Sequence, residues 1–541
     1  MGLIGWLWLL GCGGGSQPTS DAGPQPLDGD PADSGQADSG QEDAWPGNDA
    51  GPRLPELQCE VAIVGGGAAG VHTAYRLAPM LNERVCLFEK ENRLGGRIYD
   101  IPRDPMDPSS PRYGAGALRI MEGQSVVFGL ARELGVELQM PERQASIIQA
   151  RGLFSTSAEA FVPRYPGLMA HSSGDTETAL YETLLDASNR MRATMYPDFR
   201  SYVRGIVGAP AYDFLRDMSR FRADFEAPLD ARGYLDYLAE EWDVCCTPSY
   251  PVGGMSELIR RMADRIRMNR GRIFLEEPVL SIESRAGGGY RLLTTAHEVI
   301  ARKVVIAVSP LALRRIEGSI AQRIREAPEF QAILPIPVVV VTQWWDRAWW
   351  RDLRVPPMGS DPERGVWRAW TSDHCVNFVE FPLHQYGVDQ RVTRSVYDDG
   401  IRCVEFWKAT YESGGIAAVE AEVQRGLEFL FRRNGVTMPA EITIPRPLRT
   451  HFQYWPDAWH WLRAGSRVTN RRVFEWAVAP LGSGEEVALV GEAYNLNRSG
   501  WSDGAYKSSI NLLNSRYGFS LPLGDGMPIR GGRVPWHERG K

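Results

Sequence analysis

Apolar and polar positions divide the chain into an N-terminal segment without a core and a body with clear strand and helix patterns. Residues 13–55 are rich in Gly, Ser, Pro, Asp, Gln and Ala, with almost no large apolar residue. They bury too little surface to fold, so we expect a flexible tether. An apolar, β-rich run from Glu60 to Val64 predicts a buried parallel strand, and a second strand is predicted from Arg84 to Phe88. The Ala-rich stretch between these strands predicts a helix.

The first twelve residues are predicted to be an export signal and not part of the fold. Met1 to Leu10 is a short apolar run, and Leu9-Leu10-Gly11-Cys12 resembles the lipobox of bacterial lipoproteins, whose cysteine becomes an acylated N-terminus. No Lys or Arg precedes the apolar run, so the signal is incomplete. Two interpretations stay open: a lipid-anchored protein of the cell envelope, at the periplasmic or outer surface, or a disordered cytoplasmic tail.

Charge and hydropathy exclude two classes of partner. Residues 1–55 carry eight acidic side chains and one basic side chain, whereas residues 56–541 balance at 59 of each. A neutral body without a basic block argues against nucleic-acid binding. The apolar run from Gly2 to Leu10 is well short of the roughly 20 residues that a membrane span needs. We therefore expect no transmembrane helix, and membrane contact only through a lipid anchor.

Cysteine and histidine spacing predicts neither a disulfide framework nor a metal site. Seven cysteines in 541 residues are too few for a framework, and the chain has no CxxC or HxxxH pair. Cys245 and Cys246 are adjacent, closer than a disulfide normally spans, so we expect them to be buried free thiols.

A glycine motif after the first strand predicts a dinucleotide site. Gly65, Gly67 and Gly70 have the GxGxxG spacing, which serves a tight turn, close approach of the backbone to a pyrophosphate, and close packing of helix on strand. The helix N-terminus, including Ala68 and Ala69, offers unpaired N–H groups to the phosphates. Glu89 ends the second strand, 19 residues after Gly70, where a carboxylate accepts hydrogen bonds from ribose hydroxyls.

Further motifs indicate which dinucleotide is bound. Glu89 is followed by Gly95-Gly96-Arg97, which resembles the ExxxxxGGR signature of the flavin amine oxidase superfamily. The stretch from Tyr250 to Met255 resembles the PxGGMxxL segment of that family, and Gly491 to Ala505 resembles its closing GE…GWxxGA motif. Over residues 56–525 the resemblance implies FAD as the cofactor.

The resemblance also assigns roles to individual residues. Arg97 reaches the pyrophosphate and ribityl region, the backbone of Val279 contacts adenine, Glu492 binds ribityl hydroxyls, and a helix N-terminus faces the isoalloxazine. The full set expected at the cofactor is Gly65, Gly67, Ala68, Ala69, Gly70, Glu89, Arg97, Gly116, Ala117, Leu118, Arg119, Val279, Glu492, Gly500, Trp501, Ser502, Asp503, Gly504 and Ala505.

Motif spacing predicts an α/β fold with two interleaved domains. A Rossmann-like FAD-binding domain of the GR2 type is expected from residues 56–120, 250–312 and 450–525. An α+β substrate-binding domain is expected from 121–249 and 313–449, with 526–541 as a tail. Ligands then bind in the crevice beyond the carboxyl ends of the parallel strands.

Arg119 is the main substrate clue. The segment from Tyr113 to Ile120 resembles the GxMR segment of L-amino-acid oxidases and tryptophan monooxygenases, whose arginine holds the substrate α-carboxylate. A planar guanidinium fits a carboxylate bidentately. The alternatives are an arginine paired with a protein carboxylate or with the cofactor phosphate.

Aromatic clusters suggest the rest of the pocket. Four tryptophans lie between 344 and 350, and a second cluster contains Trp459, His460 and Trp461, where the family places an aromatic wall. Such walls suit an aromatic or bulky apolar substrate, although each tryptophan alone is more often core. Two roles are open for His460: a catalytic base, or a structural histidine that is held by hydrogen bonds.

One departure from the family concerns oxygen. In most of its oxidases a lysine holds a water beside flavin N5, and Val340 lies nearest that position. No lysine occurs between Lys303 and Lys408, so an alignment shift does not recover it.

As a whole, the resemblance implies FAD-dependent oxidation of an L-amino acid or related amine to an imine, which water hydrolyses to a keto acid and ammonia. The electron acceptor is O₂ or another molecule. The alternatives are a dehydrogenase, a tailoring oxidase, or a flavin-binding lipoprotein that has lost catalysis. A homodimer is a further expectation.

Overall fold

Two large β-sheets, two small sheets and surrounding helices make up the folded unit, which begins at Leu54 in a computed structural model. The structure describes residues 54–107, 109–140, 145–243, 248–355, 364–381, 391–432, 443–496 and 500–524. The predicted lipobox, most of the predicted tether, Cys245, Cys246 and the predicted tail lie outside the described residues.

The strands are β1 Glu56–Val64, β2 Val85–Phe88, β3 Asp100–Pro102, β4 Arg112–Gly114, β5 Ile120–Met121, β6 Leu138–Gln139, β7 Ala145–Ala150, β8 Leu153–Ser155, β9 Pro248–Pro251, β10 Arg272–Phe274, β11 Val279–Ser284, β12 Tyr290–Thr294, β13 Glu298–Ile306, β14 Ile333–Trp344, β15 Arg354–Val355, β16 Arg364–Thr371, β17 Phe378–Glu380, β18 Val392–Asp398, β19 Arg449–Leu462 and β20 Val487–Leu489.

The α-helices are α1 Ala68–Leu81, α2 Ser125–Leu134, α3 Thr176–Leu185, α4 Ala187–Met191, α5 Phe199–Val207, α6 Ala209–Met218, α7 Ala223–Glu226, α8 Ala231–Asp243, α9 Ser256–Met268, α10 Pro310–Leu313, α11 Ser319–Glu326, α12 Pro328–Gln331, α13 Ile401–Arg432, α14 Asn470–Ala477 and α15 Ser502–Arg516. Short 3₁₀ turns cover Asn82–Arg84, Ala158–Arg164, Ala193–Met195, Trp349–Asp352 and Glu492–Tyr494. None of these described helices is long and apolar enough to cross a membrane.

The first sheet is the predicted Rossmann-like sheet. Its order is β10-β2-β1-β13-β12-β11, with β20 paired to β13. Strands β10, β2, β1, β13 and β20 are parallel, and β12 and β11 complete an antiparallel edge. Residues Val61 to Val64 are almost completely buried because helices cover both faces of such a sheet. The predicted α/β fold class is confirmed.

Helix α1 places the glycine motif at the carboxyl end of β1. Its buried residues share a core with α2, α9 and α15. This core holds the first helix of the dinucleotide motif against the last helix of the described chain.

The second sheet has the order β19-β14-β18-β17-β16-β7-β8, with β15 paired to β16. Helix α3 and helices α5 to α8 pack over one part of it in an aromatic-rich core. Helix α13 packs on another part, against the tryptophans of the 344–350 segment.

Two domain boundaries differ from the predicted ones. Strand β19 (Arg449–Leu462) pairs with β14 in the second sheet, although 450–462 was assigned to the FAD-binding domain. Helix α2 (Ser125–Leu134) packs in the core of the first sheet, although it was assigned to the substrate domain. Motif positions do not reveal which sheet a neighbouring strand joins, because hydrogen-bond partners are set by tertiary packing.

Four of the seven cysteines form disulfides, which the cysteine count did not predict. Cys59 in β1 is bonded to Cys86 in β2, and Cys375 is bonded to Cys403 in α13. Each pair is separated by 27 or 28 positions in the chain. Only the fold brings these thiols together, so their spacing carried no signal.

Candidate active site

The glycine loop between β1 and α1 lies against a large cavity. Gly65 has φ +107°, and a Cβ there would lie 2.7 Å from the carbonyl oxygen of Ala307. A Cβ on Gly67 would meet nothing within 4 Å, because this residue faces the open cavity. The loop therefore leaves room for a group against the backbone, next to the N–H groups at the start of α1.

Glu89 lies at the carboxyl end of β2, beside this loop. Its Oε2 accepts a hydrogen bond from the Gly66 N–H at 2.7 Å, and its Oε1 accepts one from the Glu91 N–H at 3.0 Å. Each oxygen keeps a second lone pair, and the side chain lines the cavity. This arrangement is the one a ribose diol requires.

Arg97 and Glu492 meet on the cavity wall. The Arg97 guanidinium donates to the carbonyl of Ala458 at 2.5 Å and to Glu492 Oε2 at 3.0 Å. Glu492 also accepts from the Gly500 N–H at 2.7 Å. Both side chains line the cavity where the loop before α15 turns into the helix.

His460 lies behind this wall, between two carboxylates. Its Nδ1 is 2.8 Å from Glu492 Oε2, and its backbone N–H donates to Glu492 Oε1 at 3.1 Å. Its Nε2 lies 2.5 Å from Asp457 Oδ1, an ion-pair contact rather than an aligned hydrogen bond. The imidazole is buried and does not line the cavity, so His460 belongs to the structural alternative and not to the expected pocket wall.

The charges of this network follow from its geometry. Burial lowers the pKa of His460, but Glu492 and Asp457 outweigh it and raise the pKa to about 9. Burial raises the pKa values of Glu492 and Asp457, yet the imidazolium and Arg97 lower both. At neutral pH the network therefore contains two cations and two anions.

The start of α15 also faces the cavity. Trp501, Ser502 and Ala505 line it, whereas Asp503 is buried and accepts a hydrogen bond from the Val127 N–H of α2 at 3.0 Å. Asp503 therefore holds α2 rather than the cavity wall.

One cavity of about 1290 Å³ takes in most of the predicted cofactor residues and continues beyond them. Of the residues expected at the cofactor, those on its walls are Gly65, Gly67, Ala68, Ala69, Glu89, Arg97, Gly116, Ala117, Leu118, Arg119, Val279, Glu492, Gly500, Trp501, Ser502 and Ala505. Gly70, Asp503 and Gly504 lie off the walls; a Cβ on Gly70 would lie 1.9 Å from the Gly65 carbonyl oxygen, so Gly70 permits close packing.

Arg119 lines the cavity and pairs with a protein carboxylate. Its guanidinium donates to Glu380, which is also 3.4 Å from Arg394 and 3.5 Å from Arg368. Burial raises the pKa of Glu380, but the three arginines lower it to about 2. The pairing is one of the alternatives that the sequence left open for Arg119.

Register on the second sheet explains this cluster. Arg368 on β16 lies directly across from Glu380 on β17, and Glu380 lies across from Arg394 on β18. Sequence analysis missed all three residues. A charged residue within each of these three strands was the available signal, since charged residues are rarely buried unless paired.

Aromatic side chains form the far walls of the cavity. Trp459 packs edge-on against Phe221 at 6.0 Å between ring centroids, and Trp461 lies 4.5 Å from Tyr237. All four line the cavity. Trp344, Trp345, Trp349 and Trp350 do not; they are buried in core clusters, which is the more common role that the sequence analysis left open for them.

Val340 faces the same part of the cavity. It lies on β14 directly across from Tyr397 on β18, and both line the cavity. Among the described residues on the cavity walls, the single lysine is Lys90, which lies next to Glu89. Val340, which the sequence resemblance places nearest the family lysine, is thus an apolar side chain that faces the cavity.

These residues fit FAD. The open face of Gly67, the α1 N-terminus, the spare lone pairs of Glu89 and the Arg97 guanidinium match a diphosphate and a ribose. Residues 68–511 match the family of flavin containing amine oxidoreductases. The chain belongs to this family, and its cofactor is FAD.

Two curated proteins and two solved structures show the same relationship. The chain is 23% identical over 522 residues to Aplysianin-A of Aplysia kurodai, covering 85% of this chain and 91% of that protein. It is 24% identical over 336 residues to achacin of Lissachatina fulica, covering 54% and 61%.

Putrescine oxidase, solved with putrescine bound, superposes with a TM-score of 0.59 at 17% identity, covering 86% of this chain and 100% of that one. A protein assigned as a protoporphyrinogen oxidase from Exiguobacterium superposes with a TM-score of 0.56 at 18% identity, covering 85% and 98%. These structures support the fold.

Proposed function

We propose that this flavin containing amine oxidoreductase oxidises the carbon–nitrogen bond of an L-amino acid or a related amine. The observation that carries the proposal is that the cavity beside the glycine loop continues into an end lined by arginines and aromatic rings. FAD supplies the chemistry by accepting two electrons and a proton, as a hydride, from the carbon that bears the nitrogen. The resulting imine takes up water and releases ammonia.

The chain's own residues bind and orient the substrate. Trp459, Trp461 and Tyr397 offer flat apolar surface to a side chain, and the burial of Trp461 and Tyr397 excludes water from the reacting carbon. The wall that contains Arg119 is cationic and suits the carboxylate of an amino acid. Substrates with an aromatic or bulky apolar side chain should therefore be preferred.

A second candidate is a dehydrogenase that passes electrons to an acceptor other than O₂. Val340 favours it, since an apolar side chain stands nearest the position of the family's flavin-N5 lysine. The two candidates share the first half of the reaction and differ in how the reduced enzyme is reoxidised.

A panel experiment tests both candidates. Purified holoprotein is mixed anaerobically with amino acids and with the decarboxylated amine of each, and the loss of the flavin absorbance is recorded. Bleaching by at least one member supports the proposed function. Bleaching by none would leave a flavin-binding protein that has lost catalysis. The bleached samples are then given O₂ or an artificial acceptor, and the faster return of colour identifies the acceptor class.

We further propose that the protein is anchored in the cell envelope through Cys12. Two disulfides support an oxidising compartment, because such bonds rarely persist in the cytosol.

A further inference from the structure

Arg220 occupies a fixed position at the substrate end of the cavity. It lies in the short connection between α6 and α7, and its carbonyl oxygen accepts a hydrogen bond from Asn377 Nδ2 at 3.0 Å. The buried guanidinium of Arg222 fastens the same connection to the second sheet by donating to the Thr371 carbonyl at 2.7 Å. The Ser219 hydroxyl accepts from the Phe221 N–H at 3.0 Å. The backbone on both sides of Arg220 is therefore held by hydrogen bonds.

The guanidinium of Arg220 lines the cavity and rests on aromatic rings. Its central carbon is 5.4 Å from the ring of Trp370 and 5.7 Å from that of Phe378. In the part of the chain that the structure describes, no carboxylate pairs with it and no carbonyl accepts from it. Five N–H donors thus stand beside the cavity.

The neighbouring arginines differ from Arg220 because they share a carboxylate. Arg119, Arg368 and Arg394 all contact Glu380. Arg394 also donates to the Gly116 carbonyl at 3.0 Å, so part of its task is to hold the loop that carries Arg119. Three cations around one anion leave a positive surplus before Arg220 is added.

Nearby acids offset part of this surplus. Asp224 hydrogen-bonds to Tyr234, whereas Glu177 and Glu380 act on Arg220 through space. Burial lowers the pKa of Arg220, Arg368 and Arg119 lower it further, and Glu177 and Glu380 oppose them, so that the pKa is about 10. The group remains charged at neutral pH, and an arriving anion would relieve the repulsion among these guanidiniums.

We propose that Arg220 binds the carboxylate of the substrate directly, and that Arg119 is a positioning residue committed to Glu380. The substrate class is an amino-bearing carboxylate with an apolar or aromatic side chain. The inference rests on the proposed function for the amino group, whereas the anion site itself does not depend on turnover. Arg220 can donate two parallel hydrogen bonds to a carboxylate, and the aromatic rings beside its guanidinium hold the guanidinium in a fixed orientation.

Binding of a non-oxidisable probe tests Arg220 separately from catalysis. Phenylacetate and its neutral amide, phenylacetamide, are titrated into FAD-loaded protein by calorimetry. The proteins are wild type, Arg220→Met, Arg220→Lys and Arg119→Met. The matched control is Arg471→Met, which removes one positive charge from an exposed position on α14. FAD content is measured for every protein.

Wild type should bind phenylacetate more tightly than phenylacetamide. Arg220→Met should lower the affinity for phenylacetate by about 30-fold or more, which is the usual cost of removing one partner of a buried charged pair. Its affinity for the amide should stay within about twofold of wild type, and Arg471→Met should match wild type for both probes. Arg220→Lys keeps the positive charge but loses the paired N–H donors of the guanidinium. Its affinity for phenylacetate should therefore lie between those of wild type and Arg220→Met. Arg119→Met should lower the affinity for phenylacetate less than Arg220→Met does.

Three results would overturn the assignment: no preference of wild type for the carboxylate, full phenylacetate affinity in both Arg220 variants, or a larger loss in Arg119→Met than in Arg220→Met. Should Arg220→Met lose FAD, Arg220→Lys decides the question through the same comparison of carboxylate with amide. If the probe result holds while no amine bleaches the flavin, the anion site stands and the proposed oxidation fails.

Discussion

His460 Nδ1 and Glu492 Oε2 lie 2.8 Å apart, although the two residues come from different sheets of the fold. His460 is on β19 of the second sheet, and Glu492 follows β20 of the first. Asp457 completes the pair on the other side of the imidazole. A single buried imidazolium therefore joins the two sheets next to the cofactor wall.

This contact predicts a loss of stability at alkaline pH. The pKa of His460 is about 9 in the folded protein and about 6.5 when unfolded. Because the folded value is the higher one, the stabilisation is complete below pH 6.5 and is lost as the pH rises through 9. The expected size is roughly 3 kcal/mol. Denaturant unfolding of wild type and His460→Gln at pH 6, 8 and 10 measures it.

His460→Gln should be less stable than wild type at pH 6, and the two proteins should converge by pH 10. The carboxylates give the opposite sign: the pKa values of Glu492 and Asp457 are lowered, so their contribution disappears only as the pH falls below about 4. Parallel stability curves for the two proteins between pH 6 and 10 would show that His460 is neutral in the folded state.

Glu89→Ala should weaken FAD binding. The carboxylate supports the Gly66 N–H at 2.7 Å and keeps lone pairs for two ribose hydroxyls. Each charged hydrogen bond typically contributes about 1.5–3 kcal/mol, so one lost bond raises the Kd of FAD by roughly 10- to 150-fold. Flavin fluorescence during titration of the apoprotein measures this Kd.

Glu83→Ala is the control for that variant, because Glu83 is an exposed glutamate just before β2. It should bind FAD as wild type does. A Glu89→Ala protein that keeps the wild-type Kd would remove Glu89 from the cofactor site.

Val340→Lys should accelerate reoxidation by O₂. A cation that faces the cavity stabilises the negative charge that oxygen gains as it is reduced, and about 1.4 kcal/mol of such stabilisation gives a tenfold rate. Protein reduced anaerobically is mixed with aerated buffer, and the return of flavin absorbance is timed. Val340→Met fills similar space without charge, so equal rates for the two variants would remove charge at this position from the oxygen reaction.

Cys12→Ser should move the protein from the membrane fraction to the soluble fraction. Each buried CH₂ of an acyl chain contributes about 0.8 kcal/mol, so several chains anchor the protein firmly and their loss releases it. Fractionation of cells that produce wild type or Cys12→Ser measures the effect. Wild type in the soluble fraction would contradict the proposed anchor.

The parts of the fold that sequence predicted are those with local signals. The run from Glu60 to Val64, the three glycines and Glu89 lie within about 30 residues, where turn chemistry and strand pattern act directly. The observed β1, α1 and β2 follow that pattern. The remote motif around Glu492 was found through resemblance, not through local periodicity.

The substrate end could not be predicted in the same way. The environment of Glu380 is set by Arg368 and Arg394, which lie across from it on the two neighbouring strands. Which residues face each other across strands is decided by tertiary packing and not by local sequence. The tryptophans from 344 to 350 mark the same limit, because composition does not tell a core face from a cavity face. Arg220 gave no signal in the sequence, since a lone arginine between two helices is common.

The strand order of the first sheet has a consequence for synthesis on the ribosome. β1 is made first, yet its neighbour β13 comes some 240 residues later, and β20 and α15, which close the cofactor wall, follow later still. A nascent chain therefore cannot retain FAD until β20 and α15 have been made, and it exposes the apolar faces of β1 and α1 in the meantime. A chain that terminates before α15 lacks this wall and stays colourless, so acquisition of the yellow cofactor reports that synthesis has passed α15.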